Sequence, residues 1–298
     1  MAAPGQGIPG VRAFWGAEPC GTRFTAAPFG SPAFYEEYAE FRFSTEWHLL
    51  ELVPFAACAG KELLEIGTGL GADGVRFARH GAIYTGLDVT GEAVRATREH
   101  FRAFGLAPRL LVGDAERLPF PDASFDVVYS HGALHHTPHP DRAFDELHRV
   151  LRPGGHAILM LYHRASANYY VRILAYMRAR LLAHVVLRRF FPSSCGGDWE
   201  VRYRRWKALG NGFLSAEEFT HSATDGAGCP YAFTYTRRSA RRALSLFRDV
   251  RFAVAHFPLG KYIGPSAHAR SGTRRALRWI ERLLARNLGW YLFVWTLK

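Results

Sequence analysis

A glycine turn after an apolar stretch constrains this chain more than any other feature of its sequence. Residues 63–74 read Leu-Leu-Glu-Ile-Gly-Thr-Gly-Leu-Gly-Ala-Asp-Gly. Backbone without a Cβ can lie close to a bound nucleotide-like ligand. Gly67, Gly69 and Ala72 fit the dinucleotide pattern G-x-G-x-x-G/A, and Asp88 follows where a ribose-binding acid would stand. On these residues alone, a nicotinamide or flavin site, another nucleotide-like cofactor and a plain turn all stay open.

Apolar runs alternate with helix-like stretches through the next hundred residues. The predicted strands are residues 82–87, 109–112, 125–129 and 156–161, and the predicted helices are residues 72–80, 91–104 and 141–151. Strands that alternate with helices favour a parallel sheet covered on both faces. Ligands bind outside the carboxyl ends of the strands in such a sheet. We therefore expect the chemistry to gather at the turns that follow Ile66, Leu87, Val112 and Tyr129.

Six pieces of the sequence follow one another in the order and spacing of a known family. They are residues 65–71, Asp88, and residues 113–120, 124–130, 134–136 and 151–155. With these pieces, residues 61–162 resemble the class I S-adenosylmethionine-dependent methyltransferases. The resemblance is strongest to the ubiquinone/menaquinone-biosynthesis-type (methyltransferase type 11) branch. A nicotinamide dehydrogenase requires none of the later pieces, and the lack of lysine in residues 63–80 removes the P-loop interpretation.

The resemblance implies an α/β fold and a site for S-adenosyl-L-methionine. The expected fold is a Rossmann-like, seven-stranded, mostly parallel sheet with the last strand antiparallel and helices on both faces. An N-terminal helical lid and helical insertions after strands five and six complete it. The implied cofactor-binding residues are Glu65, Gly67, Thr68, Gly69, Gly71, Asp88, Val89, Asp114, Ala115, Leu118 and Ser130.

Each carboxylate of this implied site has a role toward the cofactor and a structural alternative. Asp88 would accept hydrogen bonds from both ribose hydroxyls, but it could instead cap the following helix. Asp114 would accept from the adenine amino group, but it could be a turn residue. Glu65 would either accept from the amino group of the cofactor or order the loop.

Three histidines after the fourth strand are the candidate catalytic residues. A sulfonium methyl group is already activated, so a base helps only with a weakly acidic hydroxyl or carbon acceptor. Histidine as a residue type titrates near neutral pH, so His131, His135 and His136 are the candidate bases; supporting the loop is the alternative. His139 adds a fourth imidazole, but no carboxylate or cysteine completes a zinc pattern, so we predict no metal.

The sequence predicts four segments along the chain. They are an N-terminal arm and lid helix at residues 1–58, the cofactor-binding core at 59–162, an inserted substrate or lid region at 163–236, and the last two strands with a second insertion at 237–298. Residues 31–57 are predicted as one helix, with Ser31 as the N-cap and Pro32 in the first turn. The final strands are expected at residues 250–257 and 290–297, after a helix at 237–246.

Charge is divided unevenly between the two parts of the chain. Residues 1–160 hold 14 basic and 19 acidic side chains, whereas residues 161–298 hold 24 and 7. The basic half suggests an anionic partner: a phospholipid surface, a phosphorylated substrate or nucleic acid. Preference for arginine as the general basic residue is the compositional alternative. Residues 168–191 are apolar, arginine-rich and too short to span a bilayer, which suggests a pocket cover or a membrane-interface segment.

The sequence therefore predicts a methyltransferase that modifies O, N or C of a small hydrophobic or lipid-like, optionally anionic, metabolite in specialised metabolism. The alternatives are an RNA or protein methyltransferase, and a non-methylating S-adenosylmethionine-binding protein or cyclase. Nucleic acid is the weaker choice of partner, because residues 130–133 read Ser-His-Gly-Ala where base N-methylating enzymes have Asn/Asp-Pro-Pro-aromatic.

A cytoplasmic protein is expected, with peripheral membrane contact through the basic C-terminal half as an option. Residues 1–10 are small and turn-rich, without the apolar stretch of a secretory signal. Cys20, Cys58, Cys195 and Cys229 are far apart and are expected to be reduced thiols. The oligomeric state and the identity of the acceptor stay open.

Overall fold

The computed structural model describes residues 7–17, 27–190, 197–257 and 271–298, and these residues fall into two compact units. The first unit comprises Met1–Leu161, Arg238–Phe252 and Phe293–Lys298. The second comprises Tyr162–Arg237 and Ala253–Leu292. Cys20 and Cys195 lie outside the described residues, whereas Cys58 and Cys229 are buried free thiols.

The described elements alternate between helix and strand through the first half of the chain. The α-helices are α1 Ile8–Ala17, α2 Pro32–Thr45, α3 Leu49–Leu52, α4 Ala72–Arg79, α5 Gly91–Ala103, α6 Pro140–Val150, α7 Arg178–Phe190, α8 Gly197–Leu209, α9 Ala216–Ala223, α10 Arg237–Ala243 and α11 Ser271–Leu288. The strands are β1 Glu62–Ile66, β2 Ile83–Asp88, β3 Arg109–Val112, β4 Phe125–His131, β5 Leu151–His163, β6 Thr234–Tyr235, β7 Arg248–Ala255 and β8 Tyr291–Leu297. Short 3₁₀ turns occupy Phe55–Cys58, Leu134–His136 and Gly210–Leu214, and a π-helical stretch, Asn168–Met177, precedes α7.

The strands form a mostly parallel sheet in the order β3-β2-β1-β4-β5-β8-β7. Parallel pairing joins β1 to β2 and β4, β2 to β3, and β4 to β5. One strand is antiparallel and helices cover both sides, which confirms the Rossmann-like fold class. The two-residue strand β6 pairs with the end of β5 as an eighth strand. The sequence does not predict this strand, because two residues show no hydrophobic periodicity.

The central strands are apolar on both sides because both faces of the sheet are covered. Leu63, Leu64 and Ile66 of β1 are buried, as are Val127 and Val128 of β4. Burial of such side chains contributes about 1.5–3 kcal/mol each. The central strands therefore hold the loops at their carboxyl ends in fixed positions.

Helix α2 begins where the sequence predicts, but it is shorter than predicted. The Ser31 hydroxyl accepts a hydrogen bond from the Phe34 amide at 3.2 Å, as expected of an N-cap. The helix ends at Thr45 rather than continuing to residue 57, so the prediction of one helix was wrong. The backbone leaves the helical region at Glu46, which has φ −104° and ψ 47°. A short second helix, α3, then ends before Pro54, because the residue before a proline is driven out of the helical region. Val53 accordingly has φ −103° and ψ 115°.

Helix α2 packs on α5 through one tyrosine and one histidine. The Tyr35 hydroxyl donates to the Ala96 carbonyl at 3.1 Å, and the Tyr35 ring stacks on His100 at 4.5 Å between centroids. The Nδ1 atom of His100 lies 2.7 Å from the Leu70 carbonyl in the glycine turn. Burial lowers the pKa of His100 to about 4. This neutral imidazole therefore joins α2, α5 and the glycine turn.

The second unit contains α7, α8, α9, β6 and α11, and an arginine joins two of its segments. Arg205 pairs with Glu218 at 2.8 Å and donates to the carbonyls of Ala227 and Cys229. The Tyr162 hydroxyl donates to Asp225 at 2.8 Å within the same unit. Among the described residues, no helix is long and apolar enough to cross a bilayer.

His100 should make folding stability depend on pH between its unfolded and folded pKa values. Below pH 6.5 the unfolded chain takes up a proton at this residue, whereas the folded chain does so only near pH 4. Stability contributed by His100 is therefore present above pH 6.5 and lost as the pH falls toward 4. Urea unfolding across this range should show a slope smaller by up to about 1.4 kcal/mol per pH unit in His100→Gln.

The exposed His80 provides the matched control for this measurement. His80→Gln should keep the pH slope of the parent protein. Equal slopes in the parent and in His100→Gln would contradict the assignment of the titration to His100.

Candidate functional site

The sheet register brings the predicted cofactor-binding turns to one edge. Ile66 stands opposite Leu87, and Asp88 stands opposite Val112. The Gly67 amide donates to the Leu87 carbonyl at 2.8 Å, so the glycine turn begins beside the end of β2. The Gly113 amide likewise donates to the Asp88 carbonyl at 2.8 Å. The turns after the first three strands are thus neighbours, as the alternation of elements predicts.

The glycine turn uses left-handed backbone at three positions, and these differ in what a side chain would meet. Gly67, Gly69 and Gly71 have φ values of 84°, 54° and 81°. A Cβ on Gly67 would lie 2.3 Å from the Cβ of Ala133, and one on Gly71 would lie 3.0 Å from a Thr97 methyl group. A Cβ on Gly69 would meet nothing within 4 Å. Gly67 and Gly71 are therefore required by protein packing, whereas Gly69 faces open space that a ligand can approach.

Helix α5 holds the glycine turn through a threonine that the sequence analysis did not single out. The Thr97 hydroxyl lies 3.0 Å from the Thr68 hydroxyl and 3.2 Å from the Gly69 carbonyl. Thr97 and His100 are three residues apart and both buried, so one face of α5 supplies both contacts to the turn. The helical spacing of two polar residues among apolar ones was the available signal.

Asp88 is joined directly to the glycine turn. It is 8% exposed, and one carboxylate oxygen accepts from the Gly69 amide at 3.2 Å. The other oxygen accepts from the amide and the hydroxyl of Thr90, both at 3.0 Å. Burial raises the pKa of Asp88 despite these hydrogen bonds. Thr90, whose hydroxyl accepts from the Ala93 amide, is the N-cap of α5, so the capping alternative for Asp88 does not apply.

Glu65 faces the start of α4. Its carboxylate accepts from the Tyr84 hydroxyl at 2.5 Å, and a Cβ on Gly74 would lie 2.7 Å from it. Burial raises the pKa of Glu65 well above its usual value, and the negative charge of Asp73 adds to the shift. This geometry favours support of the loop, while direct contact with a cofactor stays a prediction.

The candidate adenine-side residues form a turn after β3 that contacts helix α6. One Asp114 oxygen accepts from the Glu116 amide at 2.9 Å, which is a turn contact. The Leu118 amide donates to Glu146 at 2.7 Å, and the side chains of Ala115 and Leu118 are buried. Asp114 is therefore a turn residue in this structure, and its role toward adenine stays a prediction.

Val89 and Ser130 lie at the ends of β2 and β4, the two strands that flank β1. The Val89 carbonyl accepts from Arg12 Nε of α1 at 2.9 Å, which places the N-terminal helix beside the Asp88 turn. The Ser130 hydroxyl donates to the Ile66 carbonyl at 2.9 Å and is buried. Ser130 thus ties the end of β4 to the end of β1.

The three candidate bases have different surroundings. His131 Nε2 lies 3.2 Å from a carboxylate oxygen of Glu46, just after α2. His135 and His136 lie in the 3₁₀ turn that follows β4, with ring centroids 4.4 Å apart, and both are buried. Burial lowers the pKa of His135 well below its usual value, so its ring stays neutral. Glu46 is far from His131 along the chain, so the sequence does not indicate that the two residues meet.

The comparisons with known proteins agree with this arrangement. Residues 64–159 match the family described as "Methyltransferase domain". A phthiotriol/phenolphthiotriol dimycocerosates methyltransferase of Mycobacterium leprae is 37% identical over 147 residues, which cover 49% of this chain and 43% of that protein. A fatty-acid O-methyltransferase of Mycolicibacterium smegmatis is 39% identical over 112 residues, covering 37% of this chain and 39% of that protein. The chain thus spans less than half the length of these relatives.

A solved structure extends the likeness in fold to the whole chain. The crystal structure of the [4+2]-cyclase SpnF aligns with a TM-score of 0.54 at 17% identity, covering 100% of this chain and 99% of that one. At this level of identity the likeness shows the fold alone.

Gly67→Ala should distort the glycine turn because it combines a left-handed φ with a close approach to Ala133. Gly60 has a similar φ of 70° but open space around its missing Cβ, so Gly60→Ala carries the backbone strain alone. We expect Gly67→Ala to lower the free energy of unfolding by about 1–3 kcal/mol more than Gly60→Ala. The measurement is urea denaturation of the two variants.

A double variant separates the contact from the backbone strain. Gly67→Ala with Ala133→Gly removes the clashing methyl group and should recover part of the lost stability, after correction for Ala133→Gly alone. Equal losses in Gly67→Ala and Gly60→Ala, with no recovery, would show that the contact is unimportant.

Proposed function

Because residues 64–159 are a class I S-adenosylmethionine-dependent methyltransferase domain, we propose that the whole protein transfers a methyl group to O, N or C of a small hydrophobic or lipid-like acceptor. The observation that carries the proposal is the contact between Asp88 and the Gly69 amide, beside the open space at Gly69. The names of two relatives, one acting on dimycocerosates and one on fatty acids, support the choice of a lipid-like acceptor.

The residues at the sheet edge fit S-adenosyl-L-methionine. Asp88 is a buried carboxylate fixed by the turn, which suits recognition of two ribose hydroxyls. Gly69 leaves the turn accessible. We propose that Asp114 and Ala115, in the turn after β3, recognise the adenine ring. When bound, the cofactor supplies a sulfonium-activated methyl group. The protein then has to hold the acceptor in line and exclude water, since positioning supplies much of the rate.

For an acceptor that must lose a proton, we propose His131 as the base. Of the three candidate histidines, His131 has a carboxylate beside it, that of Glu46. The imidazole would take the proton from the acceptor, and Glu46 would stabilise the imidazolium through Nε2. Arg42 lies 3.4 Å from Glu46 and fixes the position of that carboxylate. His135 and His136 would support the loop.

Functions other than methyl transfer to a small molecule are alternatives that the experiments below can detect. A [4+2]-cyclase has this fold, so the fold by itself does not require methyl transfer. An RNA or protein acceptor stays an alternative without a specific structural observation in its favour. The ubiquinone-type branch, a cytoplasmic location and a role in specialised metabolism stay predictions from the sequence.

Asp88→Asn should weaken cofactor binding. The amide keeps one acceptor oxygen but loses the charge, and a hydrogen bond to a charged group contributes about 1.5–3 kcal/mol. Calorimetric titration with S-adenosyl-L-methionine should therefore show an affinity roughly 10-fold to 100-fold lower. Asp145→Asn, on the exposed side of α6, is the matched control and should bind like the parent. Unchanged binding by Asp88→Asn would refute the ribose role.

His131→Gln should separate catalysis from binding. We would incubate the protein with S-adenosyl-L-methionine and a panel of fatty acids, hydroxylated lipids and phenols, and detect methylated product by mass spectrometry. With a hydroxyl or carbon acceptor, the variant should lose about 10²–10⁴-fold in kcat while its cofactor affinity stays unchanged. His80→Gln is the control.

Two results would contradict these assignments. Full activity of His131→Gln would exclude the base role, while leaving methyl transfer itself intact. Tight cofactor binding by the parent without methylation of any acceptor would favour the non-methylating alternative.

A further inference from the structure

The helical segment Asn168–Phe190 of the second unit has an apolar side that faces the protein interior. Tyr169, Ile173, Met177 and Leu181 recur at intervals of four residues and are all buried. This spacing places them along one side of the segment. They are sufficient to anchor it to its own unit.

The opposite side of the segment is also apolar, but it is exposed. Leu182, Val186 and Phe190 recur at intervals of four residues and are 50%, 59% and 67% exposed. We call the exposed apolar side chains of this segment the outer face. Its large members are Tyr170, Val171, Tyr176, Leu182, Val186, Leu187 and Phe190. A helix that faces water normally carries polar residues on that side. An exposed apolar face such as the outer face therefore indicates an interaction surface.

The charged side chains of the segment itself all have one sign, and one of them, Arg188, pairs with Glu200 of α8. Residues 164–190 contain six arginines and no aspartate or glutamate. Arg180 and Arg189 are exposed on the same segment as the apolar side chains. Exposed tyrosines and a phenylalanine beside arginines are typical of helices that lie in the interface of a membrane, where arginine reaches the headgroups and the rings enter the acyl boundary.

The same charge pattern argues against a second copy of the chain as the cover. A twofold contact pairs a surface with itself, so it would bring exposed arginines toward arginines with no acidic partner on the segment. An anionic lipid surface offers both an apolar layer for Leu182, Val186 and Phe190 and negative headgroups for Arg180 and Arg189.

We propose that the outer face of Asn168–Phe190 docks on an anionic phospholipid bilayer, with the helix lying in the plane of the interface. The proposal goes beyond methyl transfer and does not depend on it. Combined with the proposed function, membrane docking would let the protein reach a lipid-like acceptor at the membrane surface instead of extracting it from water.

Co-sedimentation with vesicles tests the proposal. The parent protein should bind vesicles of phosphatidylcholine mixed with phosphatidylglycerol, and bind vesicles of phosphatidylcholine alone much more weakly. The triple variant Leu182→Gln, Val186→Gln and Phe190→Gln changes exposed residues to a good helix former, so it should fold normally. Its partition onto the mixed vesicles should fall at least about tenfold.

A matched triple variant controls for the loss of exposed apolar surface in general. Val201→Gln, Leu209→Gln and Leu246→Gln alter side chains that are 42%, 52% and 55% exposed elsewhere in the protein. This variant should bind the mixed vesicles like the parent. Separately, Arg180→Gln and Arg189→Gln should each lower binding about fivefold at low salt, with a smaller effect as the salt concentration rises.

Several results would overturn the proposal. They are no binding by the parent, equal binding to both kinds of vesicle, and equal losses in the two triple variants. A further such result is that the parent is a dimer by light scattering and does not bind vesicles, while the outer-face variant is a monomer. The outer face would then be covered by a second copy of the chain. Calorimetry with S-adenosyl-L-methionine keeps the proposals separate, because the outer-face variant should retain full cofactor affinity whether or not vesicles bind.

Discussion

A buried ion pair between Arg42 and Asp73 holds the candidate site of the first unit together. Arg42 donates to both Asp73 oxygens, at 2.8 and 2.5 Å, and the Tyr129 hydroxyl donates to the same carboxylate at 2.8 Å. Burial alone would raise the pKa of Asp73, but the charge and hydrogen bonds of Arg42 outweigh it and keep the pKa below its usual value. Removing one partner of such a pair strands a buried charge, typically at about 3–5 kcal/mol. The pair joins α2, α4 and β4 in one place.

The position of this pair explains why several separate features of the site depend on it. Asp73 lies in the first turn of α4, immediately after the glycine turn, so fixing its carboxylate fixes where the turn ends. On its other side, Arg42 holds Glu46, and Glu46 lies against His131. A single charged network thus runs from the proposed cofactor turn to the proposed base. Asp88 and Thr97 add local hydrogen bonds within the glycine turn.

The sequence predicted those parts of the fold that rest on local periodicity. The strand at residues 109–112 was predicted to the residue, and α4, α5 and α6 to within one residue at either end, because alternating apolar runs and glycine turns mark them. The sequence could not show that Arg42 meets Asp73 or that Glu46 meets His131, since such pairs depend on how distant segments fold together. The overlong prediction for α2 has the same origin, because its aromatic residues continue past the point where the backbone turns.

The contacts separate the arginines in the second half of the chain into those that bind other parts of the second unit and those that are exposed. Arg202 is buried, donates to the Ser222 carbonyl and has its pKa lowered by burial, while Arg205 joins Glu218 to two backbone carbonyls. These arginines hold the second unit together. Their structural contacts agree with the alternative that arginine is the general basic residue of this chain. Arg180 and Arg189 are exposed on an apolar segment instead, and Arg180 lies 4.7 Å from the centroid of the Trp199 ring and donates to the Tyr176 hydroxyl. The matched family segment, residues 64–159, lies wholly in the first unit, whereas the exposed apolar and basic surface of residues 168–190 lies in the second.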